Sequence, residues 1–331
     1  RIGSVRIPCR SRSAPISSPP DGCDTVRVVF AGTPDVAVAS LVALEESSHE
    51  VVGVLTRPDA PAGRGRRLRA SPVKMHAKEA GIEVRTPSNL HREADVLGDW
   101  APDVVAVVAY GLLIPAPLLT VPRFGWVNAH FSVLPAWRGA APVQHAIGAG
   151  QTHTGVTTFS IDEGLDTGPI LMRSDPVSIG DREDAGVLLA RLAIVGADLL
   201  VSTIDAMEGG DLQPAAQDSG GVSLAPRISS DDARVNWSGD VFEVDRWIRS
   251  CTPDPGAWTT IDGHRVNIGT PQAVVVDESA SPGLIHVGKS EVTIGAQRGF
   301  IVLGEVQATG KKTMAATDWA RGYRGELTRA T

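Results

Sequence analysis

Apolar residues follow two different rhythms along this chain. From Val26, short continuous runs alternate with longer amphipathic stretches: VRVVFAG, then PDVAVASLVALEES, then HEVVGVLT. A strand that is apolar on both faces is covered on both, as in a parallel sheet, and the helical stretch between two such runs supplies the crossover. Further strands are expected at Asp103–Ala109, Gly125–His130 and Gly155–Ile161. A long amphipathic helix is expected from about Glu183 to Met207, with Gly209 and Gly210 ending it. The fold class is therefore α/β, a Rossmann-like domain with a mostly parallel sheet.

The rhythm then changes. Residues 209–226, GGDLQPAAQDSGGVSLAP, are rich in Gly, Pro, Ser and Gln without apolar periodicity, the composition of a linker. Beyond them PGAWTTIDG, HRVNIGT, QAVVVDE, GLIHVG, EVTIG and GFIVLGEVQA are short β-like runs separated by Gly and Asp turns. They predict a small C-terminal β-barrel, for which the oligonucleotide-binding (OB) type is one candidate. At the other end, residues 1–24 hold four Arg, many Ser and Pro, and no periodicity, so they read as a disordered extension. An upstream tail and a transit peptide both remain open for it. The expected division is 1–24 extension, 25–208 α/β domain, 209–226 linker and 227–331 barrel.

Composition narrows the classes. With 331 residues, 42% hydrophobic and 21% charged, the chain is too long for one ordinary core and too apolar to be disordered throughout. DVVAVVAYGLLIPAPLL is interrupted by Gly111, Pro115 and Pro117, and no run is expected to reach the roughly 20 apolar residues of a bilayer span. Cys9, Cys23 and Cys251 are odd in number, far apart and without a CxxC, which fits neither a disulfide framework nor a zinc knuckle, so a reducing cytoplasm is expected. A net charge of -7 argues against sequence-blind binding of nucleic acid but allows a local basic patch.

The richest polar segment is GWVNAHFSVLPAWRGAAPVQHAI, residues 125–147. On a strand, Asn128 and His130 lie two apart and point to one side, presenting an amide and an imidazole together. Such a pair can stabilise an oxyanion and move protons near neutral pH, although a lone Asn-x-His is equally compatible with a structural histidine. Further on, DEGLDTGPIL sets Asp166 among glycines at a strand end, where it either orients His130 or simply begins a turn. VFAGTP carries one glycine, Gly32, and is not a dinucleotide loop; a plain strand-to-helix turn and a ligand-approach loop both fit it. RPDAPAGRGRRLRASPVK, residues 57–74, has six positive charges to one negative, with Gly63, Gly65, Pro58 and Pro61 predicting a mobile loop. By residue chemistry alone it is either a solvated loop or an RNA contact.

The order VFAGTPD, RPDAPAGRGRRLRASPVK, VVAYGLLIP, NAHFSVLPAWRGAAPVQ, TGVTTFSIDEGLDTGPIL and PRISSDDARVNW closely resembles the methionyl-tRNA formyltransferases, from about Val26 to the C-terminus. The resemblance implies transfer of a formyl group from 10-formyltetrahydrofolate, released as tetrahydrofolate, to the α-amine of methionine on initiator methionyl-tRNA. It implies Asn128, His130 and Asp166 as the catalytic trio and Ser132, Val133, Leu134 and Pro135 as the folate-contacting turn. It implies the basic loop as the tRNA acceptor contact, through Arg64, Arg66, Arg67 and Arg69. No metal and no covalent carrier are expected: the amine attacks directly and a tetrahedral intermediate forms. Residues 25–208 would be the catalytic domain, 227–331 a tRNA-binding OB-like domain, and the protein a cytoplasmic monomer without a membrane.

Other users of formyltetrahydrofolate could share the trio: a formate-releasing hydrolase, a glycinamide ribonucleotide transformylase or an amino-sugar formyltransferase. The basic loop and the second domain favour a tRNA acceptor over a nucleotide-sized one. A non-catalytic RNA-binding protein is the reading from another class, and a complete trio argues against it. Ala136 departs from the family pattern, where a basic residue commonly precedes WRGAAP. Trp137, Arg138 and Gly139 either border the site or pack, and Lys311, Lys312 and Arg321 could touch phosphates.

Overall fold

The computed structural model describes residues 25–62, 67–91 and 93–331. The expectation of a disordered extension at 1–24 falls outside the described residues. Seven strands form the first sheet: β1 (Arg27–Gly32), β2 (Glu50–Leu55), β3 (Val84–Arg85), β4 (Val104–Val108), β5 (Trp126–His130), β6 (Thr157–Ser160) and β7 (Ile170–Arg173). Their order is β7-β6-β5-β4-β1-β2-β3. Pairing is parallel from β3 through β5, while β6 and β7 run antiparallel at the other edge.

The chain starts at β1, moves outward to β2 and β3, and returns to the opposite side of β1 with β4. The crevice beyond the C-terminal ends of β1 and β4 is therefore a topological switch point, where open α/β sheets take their ligands. β4 is buried at every position, which matches a continuous apolar run. Gly32 at the end of β1 serves close packing: a Cβ there would lie 2.7 Å from the Phe30 ring.

Helix Ala185–Gly209 covers one face of the sheet. Asp184 caps it by accepting from the Val187 N–H, and Gly210, at φ 73°, ends it in the left-handed region. By length and composition alone this helix, with a mean hydropathy of 2.0 over an 18-residue window, could cross a membrane. Arg191, Asp198 and Asp205 interrupt it, so it is not a continuous apolar run of about 20 residues. Its apolarity has a local use, since Leu188, Leu192, Leu200 and Ile204 are buried in the main core.

The second domain holds two four-stranded antiparallel sheets. One runs Trp258–Ile261, His264–Ile268, Glu305–Ala308, Met314–Ala315, and the other Ala273–Val276, Gly299–Val302, Val292–Ala296, Ile285–Val287. Both close on one core that includes Ile261, Val266, Ile294, Ile301 and Trp319, the small barrel that the run lengths predict. GFIVLGEVQA is two strands rather than one. The break falls at Gly304, where a Cβ would stand 2.7 Å from the Thr270 carbonyl oxygen, so the chain can turn from one sheet into the other there.

The domains are tied together at the start of the long helix. Asp245 of helix Val241–Ser250 receives Arg182 at 2.9 Å and Arg249 at 2.8 Å, and Arg249 also donates to the Glu183 carbonyl at 2.9 Å.

Candidate active site

β5 carries the first two candidate side chains. Val127 and Ala129, with Phe131 just after the strand, join the core beneath the long helix, so the alternation sends Asn128 and His130 to the opposite face beside Trp126. The Oδ1 atom of Asn128 is buried and has no hydrogen-bond partner among the described residues. An unpaired buried polar atom costs about 1–3 kcal/mol, so this amide has unused capacity that a bound group would satisfy.

His130 is 6% exposed and stands edge-on to the Phe159 ring. Its Nε2 lies 2.9 Å from the Trp137 carbonyl oxygen. A carbonyl only accepts, so Nε2 carries the proton, and in the neutral ring Nδ1 keeps its lone pair. That Nδ1 faces Asp166 Oδ2 at 3.7 Å. Burial holds the imidazole below its ordinary pKa, while the Asp166 charge and the Trp137 carbonyl pull the other way.

Asp166 reaches this position from a tight loop, at φ 51°. Aspartate tolerates the left-handed region better than most residues, and Gly164 and Gly168 flank it closely. Gly168 cannot carry a side chain there, because its Cβ would overlap the Ser160 carbonyl oxygen. Asp166 Oδ2 accepts the Gly139 N–H at 2.7 Å. The backbone after β5 thus supplies both the acceptor for His130 and the donor for Asp166.

The turn 132–135 is held from beneath. Thr157 Oγ1 donates to the Ser132 carbonyl at 2.7 Å and accepts from the Leu134 N–H at 3.1 Å, and Arg173 donates to the Leu134 carbonyl at 3.0 Å. Ser132 and Leu134 are fully buried, and Ser132 Oγ bonds the Ala136 carbonyl at 2.6 Å. Of the four residues implied for folate, Val133 alone is exposed, at 41%. Side-chain contact from the turn therefore comes from exposed Val133 and half-buried Pro135, beside the backbone.

The connector between the domains closes another side. Ala215 exchanges both backbone hydrogen bonds with Ile170 at 2.8 Å. Ser223 accepts the Trp137 N–H through its hydroxyl at 2.9 Å, and Ala225 donates to the Arg138 carbonyl at 2.7 Å. These contacts, the Trp137 carbonyl, the Gly139 N–H and Thr157 were not assigned from the sequence. Thr157 left no distinct trace there, because its strand, TTFS, also carries Thr158 and Ser160.

The basic segment departs from the expected loop. Ala60–Ala62 and Arg67–Arg69 form a two-stranded antiparallel ribbon, pairing Ala60 with Arg69, Pro61 with Leu68 and Ala62 with Arg67. Both strands of a ribbon are edges, so Pro61 can sit in one without breaking a ladder. Arg67 and Arg69 are exposed, while Arg64 and Arg66 lie outside the described residues. Asp59, the one acid of the segment, pairs with Lys74 at 2.6 Å. The ribbon walls a cavity of about 730 Å³ lined by Thr33, Pro34, Arg57, Arg69 and Met75, at the C-terminal ends of β1 and β2. Among the described residues no group of three or more His, Cys, Asp or Glu could hold a metal ion.

Residues 26–204 match the formyl transferase family, and residues 227–324 match the formyl transferase C-terminal domain. Methionyl-tRNA formyltransferase of Thermobifida fusca (strain YX) is 53% identical over 302 residues, covering 90% of this chain and 97% of that protein. HypX from Aquifex aeolicus in complex with tetrahydrofolic acid superposes with a TM-score of 0.64 at 16% identity, covering 90% of this chain and 47% of that one. WlaRD, a sugar 3N-formyl transferase, superposes with a TM-score of 0.62 at 17% identity, covering 87% of this chain and all 100% of that one.

Proposed function

The chain belongs to the methionyl-tRNA formyltransferase family, and on that premise we propose that Asn128, His130 and Asp166 perform its chemistry at the end of β5. The reaction is transfer of the formyl group of 10-formyltetrahydrofolate to the α-amino group of methionine on initiator methionyl-tRNA. The observation that carries the assignment is the near full-length likeness to a named methionyl-tRNA formyltransferase, 97% of which this chain covers. The sugar formyltransferase shares the fold at far lower identity, so fold alone would leave the acceptor open.

The geometry supports a division of labour. The deprotonated α-amine attacks the formyl carbon, its lone pair forms the new C–N bond, and the carbonyl electrons move onto oxygen. Asn128 donates from its side-chain N–H₂ to that oxyanion, and its unpaired Oδ1 is left to accept from an N–H of the bound substrates. His130 has already committed Nε2–H to Trp137, so Nδ1 is the atom that takes the proton from the attacking nitrogen, directly or through a water. Asp166 stabilises the resulting imidazolium. The same proton then goes to the folate nitrogen as its bond to the formyl carbon breaks, which releases tetrahydrofolate.

Residues 132–135 form the folate side of the site, and Arg64, Arg66, Arg67 and Arg69 contact the tRNA acceptor end. We assign 25–208 to catalysis, 209–226 to the connector and 227–331 to tRNA binding, in a monomer acting in the cytoplasm. The test is formylation of charged initiator methionyl-tRNA beside free methionine, glycinamide ribonucleotide and water. Rapid formyl-methionyl-tRNA formation is expected. Formate release without modified tRNA would keep the trio and move the protein to the hydrolases.

A further inference from the structure

The connector contributes one side chain to the catalytic loop. Gln217 Nε2 donates to the Asp166 carbonyl at 2.7 Å and to the Gly168 carbonyl at 2.8 Å. Its Oε1 accepts from Arg138 through Nε at 3.1 Å and Nη2 at 2.7 Å. Carbonyl oxygens only accept and a guanidinium only donates, so the amide has one orientation that satisfies all four contacts.

Arg138 is next to Gly139, whose N–H fixes Asp166 Oδ2. The two residues that set the Asp166 carboxylate and backbone are therefore joined through a single amide. Around that amide the connector is anchored on both sides, at Ile170 through Ala215 and at Arg138 through Ser223 and Ala225.

We propose that Gln217 is a positioning residue for formyl transfer: it fixes the Asp166 loop against the Arg138–Gly139 backbone and so sets the carboxylate facing His130. This rests on the reading of Asp166 as a catalytic group. Glutamate at 217 would keep a partner for Arg138 but place a carboxylate against two carbonyl oxygens, and alanine would remove both bridges.

The full-length enzyme is compared by single-turnover formylation as wild type, Gln217→Ala, Gln217→Glu, Asp166→Ala and the Gln217→Ala/Asp166→Ala double variant, with thermal melting of each. Displacing a catalytic group by a fraction of an ångström costs on the order of 10-fold or more. We expect that loss for both Gln217 variants, and no additional loss from Gln217→Ala once Asp166 is already alanine. Loss by the same factor in both backgrounds, in step with a lowered melting temperature, would make Gln217 merely structural and overturn the proposal. Full activity of Gln217→Ala beside a crippled Asp166→Ala would also overturn it. Full activity of Asp166→Ala would instead remove the catalytic reading on which it stands.

Discussion

Gly139 donates its backbone N–H to Asp166 Oδ2 at 2.7 Å, so the carboxylate facing His130 is held by the same turn whose Trp137 carbonyl accepts from His130 Nε2–H. One short stretch of main chain thus orients both members of the pair. Substituting Asn128 or His130 leaves that main chain in place and removes one chemical function.

Asn128→Ala and His130→Ala should each reduce kcat by on the order of 100-fold or more, as for loss of an oxyanion donor or a proton carrier. Melting temperature serves as the control for folding. Near-normal turnover by either variant would take that residue out of the mechanism.

The buried His130 links stability to pH. Unfolded, its imidazole titrates near the ordinary value of about 6.5; folded, burial holds it lower. Between those two values the unfolded chain binds the extra proton, so His130 makes the native state progressively less stable as pH falls through that window. His130→Gln lacks this contribution. The melting-temperature advantage of wild type over His130→Gln should shrink from pH 7.5 towards pH 5.5, and an unchanged gap would mean that His130 titrates alike in both states.

Local sequence pattern reached the long strands, the long helix and the shared side of Asn128 and His130, because these depend on periodicity within a few positions, whereas grouping Asp166 with them took the family resemblance. It did not reach the partners. Trp137 and Gly139 act through main-chain atoms, which any residue carries, and Gln217 sits in a stretch whose composition resembles a tether. The ribbon of Ala60–Ala62 and Arg67–Arg69 escapes the pattern for a related reason: Pro61 argues against a strand only where a ladder is obligatory on both sides.

Two charges of that ribbon can be tested against RNA. Arg67 and Arg69 are exposed, and removing an arginine that neutralises a phosphate lowers the salt slope of binding. The double variant Arg67→Ala/Arg69→Ala should raise KM for methionyl-tRNA and reduce the log–log salt dependence by about 1.4 to 1.8, with folate binding unaffected. An unchanged salt slope would place the tRNA elsewhere.

Thr157 supports the turn 132–135 from a fully buried position. In Thr157→Val the shape is kept, but the Ser132 carbonyl and the Leu134 N–H lose their partner. Leaving such groups unsatisfied costs about 1–3 kcal/mol each, so a total loss near 2 kcal/mol or more is expected by urea unfolding. Folate binding should weaken with it, and Thr157→Ser should restore both. A loss below about 0.5 kcal/mol would mean that the turn does not depend on this hydroxyl.

Gly139 couples the site to the connector through space as well as through its N–H. At φ 126° it has a backbone that side chains rarely adopt, and an added Cβ would stand 2.6 Å from the Ala225 carbonyl oxygen. The obstacle is backbone, itself fixed by hydrogen bonds to Arg138 and Ala141, so no rotamer change relieves it. Either the connector lifts or the turn retreats, and retreat moves the donor that holds Asp166. Gly81 separates strain from collision: its φ is 76° and nothing lies within 4 Å of its Cβ position. Gly81→Ala should therefore cost only about 1–2 kcal/mol of stability and leave turnover alone. Gly139→Ala should also lower kcat, by on the order of 10-fold to 100-fold. If both variants lose stability alone, the turn and the connector move independently, and Asp166 does not need the Gly139 N–H where the fold now holds it.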